Sequence, residues 1–95
     1  MALQIIWSDL ADESIYELTN FLADSWDQQV VNRFVDKIYD TVSSLATFPE
    51  MGRITNEQLG VRSFVVKPYA RIFYSVLPNA IYIHRVIDTR QNPNR

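Results

Sequence analysis

The residues of this chain best suited to act on a partner are four arginines, Arg62, Arg71, Arg85 and Arg90, and its one histidine, His84. A guanidinium is a planar fork of donors that grips a phosphate or carboxylate with two parallel hydrogen bonds. Histidine is the residue type that ordinarily moves protons near neutral pH. His84 lies in a strand-like segment, where a lone histidine is more often structural than catalytic. Ser75 and Asp88 could complete a triad with it, but nothing in the spacing prefers that arrangement. Phe73 and Tyr82, if exposed, could stack on bases or apolar side chains. No phosphate-binding loop, dinucleotide fingerprint, zinc spacing or nucleophile elbow is present, and there is no cysteine. No metal or other cofactor is therefore expected.

The charge is unevenly distributed. Residues 1–50 carry nine acids and two bases (Arg33, Lys37), a balance of −7; residues 51–95 carry seven bases and two acids (Glu57, Asp88), a balance of +5. Two readings follow. The second half presents a basic surface to an acidic partner, or the two halves neutralise each other through ion pairs. At 95 residues and 47% hydrophobic content the chain suits one domain spanning 1–95 with a real core. The start, MALQIIWSDLADES, lacks the basic and apolar blocks of a signal peptide, and no stretch is long enough for a membrane span. A cytoplasmic protein is expected.

These side chains must be carried by particular elements. Leu3-Gln-Ile-Ile-Trp7 reads as a strand. Ser8 or Asp9 then offers a helix cap, followed by Ala11, Ile15, Leu18 and Leu22 on one helical face, with Phe21 widening the stripe. Ser25 and Gln28 fit a capping box for a second helix, whose stripe is Val31, Phe34 or Val35, Ile38, Val42 and Leu45. Pro49 and Gly52 end it. Residues 50–61 lack periodicity and read as a loop. Three strands follow: Arg62–Lys67, Ala70–Leu77 and Ile81–Ile87, the last two joined by a turn at Pro78-Asn79. Ile72, Tyr74 and Val76 should face the helices, and Arg71, Phe73 and Ser75 the open side. The expected fold is α+β, in the order β-α-α-β-β-β, with a helical hairpin packed on a small antiparallel sheet.

Several words in the chain resemble those of the RelE/ParE family of toxins from type II toxin–antitoxin (plasmid stabilisation) systems. Phe48-Pro49-Glu50-Met51-Gly52-Arg53 resembles the junction after the second helix. Gly60-Val-Arg-Ser-Phe-Val-Val66 and Tyr69-Ala-Arg-Ile-Phe-Tyr74 resemble two successive strands. Ile83-His-Arg-Val-Ile-Asp-Thr-Arg-Gln-Asn-Pro93 resembles the closing segment. The resemblance implies a growth-inhibiting toxin neutralised by a cognate antitoxin, often with an acidic tail, and it allows a homodimer. Two targets occur in the family. RelE-like members cut messenger RNA on the ribosome, whereas ParE-like members inhibit DNA gyrase without hydrolysis. For a nuclease, the candidate residues are Arg62, Arg71, His84 and Arg90. For partner binding they are Arg62, Arg71, Phe73, Arg85 and Arg90. The nuclease pattern is incomplete: Phe64 stands where a second lysine is expected, and Gln91 where a late arginine is expected, with Arg90 adjacent. The acidic pI near 5.2 also suits ribosomal RNA poorly. The long helical hairpin resembles the ParE-like branch, so a non-enzymatic gyrase inhibitor is the favoured reading. A ribosome-dependent endoribonuclease is the alternative.

Overall fold

The computed structural model describes residues 2–90. The elements run β1 (Gln4–Trp7), α1 (Asp9–Ala23), α2 (Gln28–Thr47), β2 (Arg53–Asn56), β3 (Val61–Val66), β4 (Ala70–Leu77) and β5 (Ala80–Asp88). The strands form one five-stranded sheet in the order β1-β5-β4-β3-β2. The two helices pack on one face of this sheet, which gives the expected α+β architecture. The sheet is mixed: β1 runs parallel to β5, while the other neighbours are antiparallel. A parallel partner needs a crossover connection, and the intervening helical layer begins it.

The helices form where the apolar spacing predicts. Ala11, Ile15, Leu18 and Leu22 from α1 join Val31, Phe34, Ile38, Val42 and Leu45 from α2 in the core. Against them lie Val66, Ile72, Tyr74, Ile81, Ile83 and Val86 from the sheet. Phe21 and Val76 remain 37% and 41% exposed, because each lies at the margin of the helix–sheet contact. Ser8 caps α1, its side chain accepting the Ala11 amide at 2.9 Å. The predicted capping box at Ser25 does not form. The Ser25 and Trp26 amides still bond to the Leu22 carbonyl, so Ser25 belongs to the closing turn of α1. Asp27 is the N-cap of α2 and makes no side-chain capping bond.

The stretch expected as a loop contains β2. All four of its residues are exposed, so it carries no alternating pattern, and only pairing with β3 defines it. At the other end of the sheet, β1 stops at the Trp7–Ile83 pair. Beyond that point α1 takes over the edge of β5. The Ser8 hydroxyl donates to the His84 carbonyl at 2.9 Å, and the Ser14 hydroxyl accepts the Val86 amide at 2.8 Å. Two serines thus satisfy backbone groups that a longer strand would have paired. Among the described residues, no helix is long and apolar enough to cross a membrane.

Candidate partner-binding site

Strand alternation sends Arg71, Phe73 and Ser75 to the face away from the helices, while Ala70, Ile72 and Tyr74 are buried beneath them. Their neighbours on β3 follow by register: Val65 beside Arg71, Ser63 beside Phe73 and Val61 beside Ser75. On β5, Ile87 lies beside Arg71 and Arg85 beside Phe73. Simple alternation then breaks. The next pair is Tyr74 with Ile83, leaving His84 as an extra residue in the ladder. Such a bulge re-aims side chains that would otherwise point to opposite faces. His84 and Arg85 consequently line the same open-face concavity. Its volume is about 860 Å³, and its walls are Thr55, Val61, Arg71, Phe73, His84, Arg85, Ile87 and Thr89.

The basic groups here differ in their constraint. Arg71 donates through Nη1 to the Ser63 hydroxyl at 3.1 Å, and that hydroxyl also accepts from Thr55 at 2.8 Å. Ser63 is buried, so the contact holds the Arg71 guanidinium at a defined height above the sheet. Arg85 is exposed. His84 Nε2 lies 2.7 Å from the Ser75 hydroxyl, and its ring packs edge-on against Tyr82 at 5.0 Å. The surface therefore combines two guanidinium groups and a tethered imidazole with the apolar side chains of Val61, Phe73 and Ile87. Such a face can dock a carboxylate or phosphate beside an apolar group.

Arg62 and Arg90 are not part of it. Arg62 pairs in register with Tyr74 and so lies on the helix side, where Nη1 donates to the Gly52 carbonyl at 2.6 Å. Arg90 follows β5 and pairs with Asp88 at 3.2 Å, with its guanidinium 3.7 Å above the Tyr69 ring centroid. This is the one ion pair among the described residues, so the opposite charges of the two halves are not broadly neutralised by direct pairing. The imagined Ser75–His84–Asp88 triad does not assemble. Ser75 and His84 meet, but Asp88 sits on the opposite face with a fully buried side chain. Gln91 lies outside the described residues. No group of histidine, aspartate and glutamate among the described residues could hold a metal ion.

On the helix side, the Tyr74 hydroxyl donates to the Pro49 carbonyl and accepts the Gly52 amide, both at 2.8 Å. Burial pushes the Tyr74 phenol above its ordinary value of 10.0, against the opposing pull of the Gly52 amide and the Arg62 charge. This knot fixes the turn from α2 into β2, and so places Thr55 at the rim of the concavity. Thr55, Val61, Ile87 and Thr89 are wall residues beyond the sequence candidates. Alternation along β3 and β5 could have identified Val61 and Ile87. Thr55 required knowledge of the exposed edge strand.

The sequence matches the family described as "ParE toxin of type II toxin-antitoxin system, parDE" over residues 5–93. No curated protein matches it by sequence. Among solved structures, a chain from the chromosomal ParDE system of P. aeruginosa is similar, with 18% identity and a TM-score of 0.78, covering 92% of this chain and 96% of that one. The RelBE2 toxin–antitoxin complex of Mycobacterium tuberculosis contains a chain with 14% identity and a TM-score of 0.62, at coverages of 93% and 99%. A mutant RelE toxin of E. coli in the free state gives 10% identity and a TM-score of 0.66, at 98% and 90%. At these identities the structural likenesses establish the fold, and the family match over nearly the whole sequence establishes the lineage: the chain belongs to the ParE toxin family of type II toxin–antitoxin systems.

Proposed function

We propose that this toxin acts by protein binding, that its target is DNA gyrase, and that the open face around Arg71, Phe73 and Arg85 is the contact surface. The observation that carries this reading is the placement of the four nuclease candidates. Cleavage of RNA needs basic groups converging on one phosphate, plus a proton donor and acceptor. Arg71 and His84 share the open face, but Arg62 and Arg90 are turned to the other side and held by Gly52 and by Asp88 with Tyr69. What remains is a mixed apolar and cationic surface of the kind that protein interfaces use, with arginine and aromatic anchors.

A cognate antitoxin is proposed to cover the same face with an extended acidic segment, its carboxylates meeting Arg71 and Arg85. The similar chains from P. aeruginosa and M. tuberculosis come from a ParDE system and a RelBE2 toxin–antitoxin complex, which supports an antitoxin partner here. A supercoiling assay with purified protein tests the target. Inhibition of gyrase, relieved by the antitoxin, is expected, and undiminished supercoiling at excess toxin would refute it.

One observation favours the second reading, a ribosome-dependent endoribonuclease: Arg71, Arg85 and the Ser75–His84 pair do share a face. In a translation extract, that reading requires messenger cleavage that disappears with Arg71→Ala. Intact messenger during growth arrest would remove it.

A further inference from the structure

Arg90 occupies a site that the proposed function does not use. Three aromatic rings from three different places surround its guanidinium. Tyr69, in the β3–β4 turn, lies 3.7 Å from it; Phe21, near the end of α1, lies at 5.7 Å; Trp26, between the helices, lies at 5.9 Å. Trp26 is itself braced by Phe34 and Tyr69, with ring centroids 5.8 Å apart in each case. The floor is Asp88, whose side chain is fully buried. Its Oδ1 faces Arg90 Nε at 3.4 Å and its Oδ2 faces Nη2 at 3.2 Å. Ring faces attract cations, and a carboxylate meeting two nitrogens of one planar group selects a guanidinium over an ammonium.

We propose that Phe21, Trp26, Tyr69 and Asp88 form an arginine-binding cage, filled in the free chain by Arg90 and able to take an arginine side chain of a basic partner segment in its place. The resident is placed for exchange. It lies two residues beyond the last strand, its side chain is 40% exposed, and Asp88 is its one ion-pair partner. The surroundings favour an incoming cation. Asp24 and Asp27 flank Trp26 and are exposed, and the carbonyl end of α1 points its partial negative charge toward this corner. A cleft of about 300 Å³ between α1 and β5 leads to Asp88, with Glu17 on its wall. Glu17, Asp24 and Asp27 thus lie on the cage side of the sheet, with Lys37 farther along α2 donating to the Lys67 carbonyl, whereas the arginine-bearing open face lies on the other side.

The test is chemical rescue of Arg90→Ala in the full chain, carried in a Trp7→Phe background so that Trp26 is the only tryptophan. Titration with ethylguanidinium is expected to give a saturable change in Trp26 fluorescence at millimolar concentration and to raise the melting temperature. Ethylurea, equal in shape but uncharged, should do neither, and ethylammonium should bind at least about tenfold more weakly. Adding Asp88→Asn should abolish the response. If Arg90→Ala alone is unfolded, ethylguanidinium should restore its circular dichroism. A folded variant without saturable binding, or an unfolded one not rescued at 50 mM ethylguanidinium (about the upper end of the effective concentration of a tethered group), overturns the cage. Exchange is read on the unmutated chain by titrating an arginine tripeptide and following the Arg90 Nε–H resonance. Its shift toward the solvent-exposed position as the peptide binds supports exchange; an Arg90 signal unmoved at peptide concentrations several-fold above both the dissociation constant of the Arg90→Ala cage and the effective concentration of the tethered side chain refutes it.

Discussion

The Tyr74 hydroxyl stands directly against Gly52, accepting its amide at 2.8 Å, and a Cβ built on Gly52 would lie 2.5 Å from that same oxygen. The added carbon would also sit 2.7 Å from the Ser63 carbonyl, a backbone atom of the neighbouring strand that cannot swing aside. Gly52→Ala should therefore destabilise the fold by about 2–4 kcal/mol, at or above the usual cost of overpacking. Urea denaturation measures it. Gly60 offers the contrast. Its φ is +66° with open space around it, so Gly60→Ala should cost only about 1–2 kcal/mol for the left-handed backbone, and Gly60→Asn less.

Removing the hydroxyl tests the same knot from the other side. Tyr74→Phe leaves the Gly52 amide and the Pro49 carbonyl without their buried partner, at a cost of about 1–3 kcal/mol. The pH dependence carries a definite sign. The folded chain raises the Tyr74 pKa above 10.0, because burial disfavours the phenolate. Its contribution is therefore fully present below pH 10 and is lost as pH rises through the folded value, since the unfolded chain releases the proton first. Urea midpoints measured from pH 8 upward should fall above pH 10 in the native sequence, and this component of the fall should be missing in Tyr74→Phe.

The two serines of the first helical turns should matter more than the N-cap residue of the second helix, Asp27. Ser8→Ala removes both the α1 cap and the bond to His84, costing about 1–2 kcal/mol, and Ser14→Ala strands the Val86 amide. Asp27 makes no side-chain capping bond, so Asp27→Ala should stay within about 0.5 kcal/mol of the native stability. Thermal melts of the three variants decide this order.

Replacing Arg71 and Arg85 together by alanine should weaken binding of the target and of the antitoxin by at least about tenfold each, since each loses charge-assisted contacts worth more than ~1 kcal/mol. The circular dichroism spectrum should stay native, because both side chains lie on the open face. Titration calorimetry with the antitoxin and the supercoiling assay provide the two readouts. Undiminished affinity in both would place the contact surface elsewhere.

Periodicity and turn chemistry were enough to locate both helices, the three long strands and the inward Ile72 and Tyr74, though not the exposed Val76, because each element buries one face and therefore alternates or recurs along the chain. They also put Arg71 and Phe73 on the open side. Other features have no local signature. Edge strand β2 buries nothing, and the parallel pairing of β1 with β5 joins residues far apart in sequence. The bulge at His84 exists only as a mismatch between two strands, yet it brings that imidazole beside Arg85. Arg62 and Arg90 look like Arg71 in one dimension. Register turns Arg62 toward Gly52, and three distant rings with a buried carboxylate capture Arg90. Arginine chemistry could be read residue by residue, but the face each guanidinium occupies depends on partners that only folding brings within reach.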